Sequence, residues 1–256
     1  MNSKPMGNKK YIFTALSIII ALLIWQFVSS SDAGAVIASP ADVFKSFIKE
    51  ITNGKLLHHI AISLFRVLSG FALAFIVSIP IAFLMGWYQP IQLLIEPIIQ
   101  FLRNIPALAY IPLVVVAQGV GESAKITVIF ISTFLVMIIT VYQGVKEVDS
   151  TLIKAARVLG AKDKDIFLKV VIPASVPYIL VGMRLGLGAS LTTLIAAELT
   201  GSNAGLGQMI QEASLYFRMD IVMLGIILIG ITGLVLNLIV SIIENRVTVW
   251  QEKKKR

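Results

Sequence analysis

DSTLIKAARVLGAKDKDIFLKVVIP, residues 149–173, is a long, strongly charged stretch lying between apolar runs. Asp149 or Ser150 suits a helix N-cap. Leu152 to Leu159 then reads as about two helical turns, with Leu152, Ile153, Ala156 and Leu159 as an apolar stripe and Lys154 and Arg157 beside it. Gly160 fits the left-handed position that ends a helix. A second short helix is predicted from Asp163, carrying Ile166, Phe167 and Val170 on one side and stopping before Pro173. The stretch therefore predicts a helix–Gly–helix elbow outside the membrane, with a small Ala155-Ala156 pair that admits another surface close to the backbone. Charge and periodicity alone equally describe a loop lying on lipid headgroups.

Composition sets the class. The chain has 256 residues, 57% hydrophobic and only 14% charged, where a soluble domain carries about 25% charged residues. Its own polar residues cannot cover such an apolar surface, so it is an integral membrane protein. With 0 Cys there is no disulfide framework and no thiolate site. The net charge of +8 sits in loops and tails beside apolar runs, a distribution that argues against nucleic acid and for membrane lipid.

Along the chain, Tyr11 to Val28 is an uncharged run of spanning length. Its rival is a signal peptide, because Ala33-Gly34-Ala35 resembles a cleavage site; the run exceeds the usual signal core of about 7–15 residues, which favours a retained helix. Ser39 to Val43 opens an amphipathic helix through Phe44, Phe47, Ile48 and Ile51 that Asn53-Gly54 ends. His58 and His59 are adjacent and lack metal-ligand spacing. Further spans are expected at 60–86, at 91–119 (broken by Pro97, Pro106 and Pro112), at 126–145, at 176–199 and at 221–243, with 200–220 a polar loop. The expectation is an all-α, polytopic membrane protein with six transmembrane helices. No internal repeat is visible. The chain divides into 1–59 (tail, first span and outer amphipathic segment), 60–245 (one transmembrane domain containing the loop 146–173) and 246–256 (a basic tail).

With the N-terminus inside, cytoplasmic segments hold fourteen Lys and Arg against five in outer segments. That asymmetry places both termini and the elbow in the cytoplasm. Charges at membrane depth usually face a bundle interior or a watery cavity. Arg66, Arg103 and Arg184 are such residues. Arg184 lies about 12 Å along its helix at 1.5 Å per residue. Gly182 and Gly186 beside it form a small-xxx-small pair for close packing. Arg66, Arg103 and Arg184 read either as cations lining an anion pathway or as braces that pair with Glu96 or Glu198 or cap carbonyls, with the brace reading put first for Arg66. Glu198 reads as a gate group or as interfacial.

The elbow resembles the cytoplasmic loop of ABC-importer permeases, whose pattern is Glu-Ala-Ala, three residues, Gly, nine residues, then Ile-x-Leu-Pro. Ala155, Ala156, Gly160 and Pro173 match, Val170 and Ile172 are conservative replacements, and Lys154 stands where the pattern has Glu. A salt bridge through that carboxylate is therefore not carried over. SLFRVLSGFALAF at 63–75, RNIPALAYIPLVVVAQGVGESAKI at 103–126 and AAELTGSNAGLGQMI at 196–210 are similar to segments of the nitrate, sulfonate and taurine permease group. The resemblance implies a type I ABC-importer permease fold in the plasma membrane of a bacterium or archaeon. It also implies two cytosolic ATP-binding subunits, a second copy of the permease and an extracytoplasmic solute-binding protein. Lys154, Ala155, Ala156, Arg157, Leu159, Gly160, Ala161 and Pro173 would be the ATPase-coupling residues. The chain has no Gly-x-x-x-x-Gly-Lys-Ser/Thr loop, so no cofactor is expected in it, and ATP and Mg would be bound by the partner subunits. The cargo expected is a small anion, an alkanesulfonate or taurine first and nitrate second, with a nitrogen-heterocycle precursor as a further option.

Two other classes fit less well. An intramembrane enzyme needs paired Asp, Ser with His, or a metal-ligand cluster within the spans, and the two His lie outside the expected spans. A passive channel has no use for a cytoplasmic elbow bearing small docking residues.

Overall fold

A computed structural model describes residues 7–31 and 37–248, with side chains from residue 12 onward. The Ala33-Gly34-Ala35 triplet, the first basic residue Lys4 and the Lys253–Arg256 tail lie outside the described residues. The described chain is helical: α1 Gly7–Ser29, α2 Pro40–Thr52, α3 Lys55–Trp87, α4 Gln89–Arg103, a 3₁₀ turn Ala107–Ala109, α5 Tyr110–Gln118, α6 Glu122–Lys146, α7 Ser150–Val158, α8 Asp163–Ile166, a wide π turn Phe167–Val171, α9 Ile172–Leu199, α10 Leu206–Leu215 and α11 Met219–Val247.

Five of these helical stretches are long and apolar enough to cross a membrane, and a sixth crossing is counted if α4 and α5 form one broken span. Those two helices meet at 85°. The bend falls at Ile105-Pro106, where Pro106 supplies no backbone N–H for a helical bond and disfavours helical geometry in Ile105. The expected third span is thus two short helices that turn back from a straight path, beginning at Gln89.

The centre of the bundle is α6, flanked by α3 on one side and α9 on the other. Close approach is made by small residues. A side chain on Gly144 would overlap Tyr178 Cβ at 2.2 Å, and one on Gly186 would meet Met137 Cγ at 2.8 Å. The Gly182–Gly186 pair thus performs the packing role its spacing predicts, against α6. Ala82, Met85, Ile138, Val141 and Ile166 are fully or almost fully buried in the core at the elbow end. By contrast α1 exposes Ile12, Phe13, Leu23 and Phe27, and its Trp25 indole N–H donates to the Ala38 carbonyl at 3.0 Å. Helix α2 starts as expected: the Ser39 hydroxyl accepts from the Asp42 N–H at 3.2 Å and donates to the Asp42 carboxylate at 2.7 Å.

Four expectations change. The second span begins at Lys55, so His58 and His59 lie on a helix rather than in a loop. The 200–220 segment contains α10, because Leu206, Met209 and Ala213 have an apolar cluster to bury in. The helix from Asp163 does not stop before Pro173. It passes through the π turn into α9, with Pro173 in the first turn of α9, where a missing N–H costs little. The elbow's second helix and the span are therefore one continuous helical arm, and α7 joins it through the turn at residues 159–162. The fourth change, in the elbow's apolar stripe, follows from its packing.

Candidate functional site

The elbow is built from local chemistry. The Asp149 carboxylate caps α7 by accepting from the Thr151 N–H at 2.8 Å, and this hydrogen bond holds its pKa below the usual carboxylate value. Gly160 adopts φ +81°, as its position predicts. Its N–H donates to the Arg157 carbonyl at 2.9 Å and the Ala161 N–H to the Ala156 carbonyl at 3.0 Å, the paired bonds of a Schellman cap. Arg157 and Asp163 bridge the turn at 3.2 Å, both exposed, a contact worth little by itself.

The predicted stripe divides. Ile153, Ala156 and Ala161 pack inward on the core around Ile166 and Val145. Leu152, Val158 and Leu159 face away, the last two 88% and 87% exposed, with Ala155 and Lys154 also exposed. The inward residues attach the elbow to its own bundle, because two turns of helix cannot fold alone. Ala156 therefore braces the elbow, while Ala155 and Leu159 face outward. Pro173 lies exposed on the arm. Behind it the Phe167 ring packs against Phe83 at 6.0 Å and Trp87 at 5.4 Å between centroids, tying the arm to α3.

A cavity of about 590 Å³ opens where the α4–α5 break meets α6 and α9. Arg103, at the end of α4, is the sole charged residue of its lining. Its guanidinium makes no hydrogen bond or ion pair with any described residue. Thr140, Gln143 and Thr192 add polar groups, while Leu135, Ile139 and Leu185 supply an apolar wall. An unpaired cation beside hydroxyl and amide groups and a short apolar wall suits a small anion with an organic tail.

Arg184 lies elsewhere. It pairs with Glu244 on α11, an acidic partner that sequence spacing did not suggest, and does not line the cavity. Glu96 instead accepts from Gln92 and from the Tyr142 hydroxyl. Glu198 was expected on the pathway; it is wholly buried, at the end of the bundle opposite the elbow. There Arg66 on α3 donates to Glu122 from Nε and Nη2, both at 2.6 Å, and from Nη1 to Glu198 at 2.7 Å and the Ala204 carbonyl at 2.6 Å. Ser63 Oγ donates to Glu198 at 2.7 Å and accepts from the Leu206 N–H at 2.8 Å. The Gly207 N–H holds the other Glu198 oxygen at 2.7 Å. A Cβ at Gly205, which has φ +127°, would fall 2.3 Å from Glu198 Oε1, so only Gly fits. Glu122 was missed because one acidic residue at a span's first turn carries no pairing signal in sequence.

Membrane-crossing helices around a lined cavity, with a rigid arm ending in an exposed apolar elbow, define a transport subunit rather than an enzyme. The chain belongs to the binding-protein-dependent transport system inner membrane component family, matched over residues 74–249. It is an ABC-importer permease. It is 46% identical over 238 residues to a protein of Brucella abortus (strain 2308) named as a probable ABC transporter permease protein, covering 93% of this chain and 95% of that one. It is 37% identical over 198 residues to the Escherichia coli (strain K12) taurine transport system permease protein TauC, covering 77% of this chain and 72% of that one. Its fold matches the inward-facing MetNI methionine ABC transporter in its CY5 native crystal form, with a TM-score of 0.67 at 19% identity over 77% of this chain and 98% of the other.

Two predictions follow from the buried and lateral ion pairs. Arg66→Leu strands the buried Glu198 carboxylate and lowers stability by about 3–5 kcal/mol, read as melting temperature in detergent. Combining it with Glu198→Leu recovers part of that loss, and additive losses would refute the pairing. Arg184→Met lowers melting temperature while uptake per folded molecule is kept; loss of uptake at unchanged stability would return Arg184 to the pathway.

Proposed function

We propose that this chain carries a small solute bearing an anionic group inward across a bacterial or archaeal plasma membrane, with an alkanesulfonate or taurine (through its sulfonate) as first cargo and nitrate as second. The observation that carries the reading is Arg103, an unpaired cation alone among the charges of a cavity with an apolar wall. The relatives support both cargoes, since a nitrate import permease is 34% identical to this chain over 252 residues; the sulfonate is put first because Leu135, Ile139 and Leu185 give an alkyl tail something to contact that nitrate lacks.

Energy enters through the elbow. Two copies of the permease, two cytosolic ATPase subunits that bind ATP and Mg, and an extracytoplasmic solute-binding protein make up the working assembly in this reading. Both termini lie in the cytoplasm, as the excess of Lys and Arg on that side favours. Leu152, Val158 and Leu159 enter a groove of the ATPase, with Ala155 keeping the contact close and Lys154 and Arg157 at its rim. ATP closes the ATPase pair and draws the two elbows together. Because the elbow's second helix and α9 are one arm, tied to α3 through Phe167, that movement tilts the walls of the Arg103 cavity and opens it outward. Hydrolysis reverses the tilt. Each ATP state favours one cavity orientation only through its differential affinity for the two elbow positions.

Uptake of labelled taurine, ethanesulfonate and nitrate by cells with and without the gene tests the reading. Gly160→Pro cannot keep φ +81° and abolishes uptake while the protein stays in the membrane. Ala155→Glu has the same effect without disturbing the core, whereas Ala156→Glu also lowers stability. Normal uptake by Ala155→Glu would remove the coupling role. Arg103→Met lowers uptake about tenfold or more, the equivalent of one charged hydrogen bond; an unchanged rate for every anion would remove the anion role.

A further inference from the structure

At the end of the bundle opposite the elbow, a second cavity of about 560 Å³ lies between the α2–α3 corner, α10 and the start of α11. Its lining differs in kind from that of the Arg103 cavity. Lys55 and Arg218 bring positive charge to it, and Glu50 and Glu212 bring negative charge. These opposite charges form no ion pair across the space, although the Glu50 charge is felt at Arg218. Arg218 is turned to Asp220 at 2.8 Å, and Glu212 accepts from the Gln208 side-chain amide at 3.0 Å. Lys55 and Glu50 have neither a hydrogen bond nor an ion pair from their side chains to any described residue. The Gln208 carbonyl oxygen, in the same wall, is buried without a hydrogen-bond partner among the described residues. Tyr216 contributes an exposed ring.

Held-apart charges of both signs around one space complement a molecule that itself carries both signs. A plain anion would meet Glu50 and Glu212, and a plain cation would meet Lys55 and Arg218. The Gln208 oxygen is sealed from the space and takes no part. We propose that this cavity is a binding site for a small organic zwitterion, its acidic group toward Lys55 and its ammonium toward Glu50 and Glu212, beside the Tyr216 ring. His59 lines the same cavity and accepts from the Gly205 N–H at 3.0 Å through Nδ1. The site therefore adjoins the segment that wraps Glu198. Only the side of the membrane it faces, outward, rests on the import reading; binding itself does not.

The probe is labelled taurine, with the full chain and its co-purified ATPase subunits in lipid nanodiscs. Saturable taurine binding is expected, displaced by unlabelled taurine but at least tenfold less well by ethanesulfonate, which lacks the amine, or by ethanolamine, which lacks the sulfonate. Glu50→Gln and Lys55→Met each weaken binding about tenfold, and Lys55→Arg restores it; melting temperatures identify any variant that has simply unfolded. Equal displacement by ethanesulfonate, or binding unmoved by both variants, or no binding at all, overturns the proposal. Arg103→Met separates the two readings: it lowers uptake and removes any taurine held in the Arg103 cavity, while the taurine binding that Glu50→Gln and Lys55→Met weaken persists. If cells prove to import only nitrate, the cargo assignment fails while the displacement pattern still decides the zwitterion site.

Discussion

The Arg66 guanidinium is the fixed point of the molecule. An arginine sealed among apolar helices carries a desolvation cost that only a full set of acceptors offsets, and Arg66 finds Glu122, Glu198 and the Ala204 carbonyl. Those partners come from α6, from the end of α9 and from the loop leading to α10. One side chain therefore sets how α3, α6 and α9 meet at the end away from the elbow. The other end is packed by a separate apolar core around Ile138, Val141 and Ile166.

The position of the Arg103 cavity follows from that frame. The α4–α5 break leaves one wall of the bundle incomplete, and the residues exposed there, Arg103 with Thr140, Gln143 and Thr192, are those with no reason to be polar in a packed interior. The charges that do have partners stand elsewhere, in the Arg66 knot and in the Arg184–Glu244 contact. Among the described in-span arginines, Arg66 and Arg184 are braces and Arg103 is the one without a partner.

Much of this was legible beforehand. Hydropathy marks the spans, and Ser39, Asp149 and Gly160 set helix ends through their own backbone chemistry, so their predicted positions agree with the structure. Partner choice was legible only in part: Glu198 reads as a partner for an in-span arginine and Arg66 takes it, but Glu122 does not show. Arg184 takes Glu244, sixty residues away, and nothing in either neighbourhood encodes that meeting. Glu198 looks interfacial in sequence, since burial by Gly205 and Gly207 depends on how a distant loop folds back. The elbow's stripe reads as one surface because periodicity cannot say which half of an apolar face is used at home: Ile153 and Ala156 hold the elbow down, and Leu159 is left over. Pro173 reads as a stop because proline removes a helical hydrogen bond, and the π turn before it supplies a path around that loss.

That continuous arm has a consequence for how the protein can change over time. Each residue along a helix turns the chain by about 100°. One residue inserted or deleted between Asp163 and Val171 would swing α7, with Leu159, to a different compass bearing while leaving the other spans intact. Substitutions along the arm can therefore accumulate, but its length is under a constraint that the loops around Asn53 or Gly119 escape. Lineages of this transporter should differ in the letters of this segment and agree in their number.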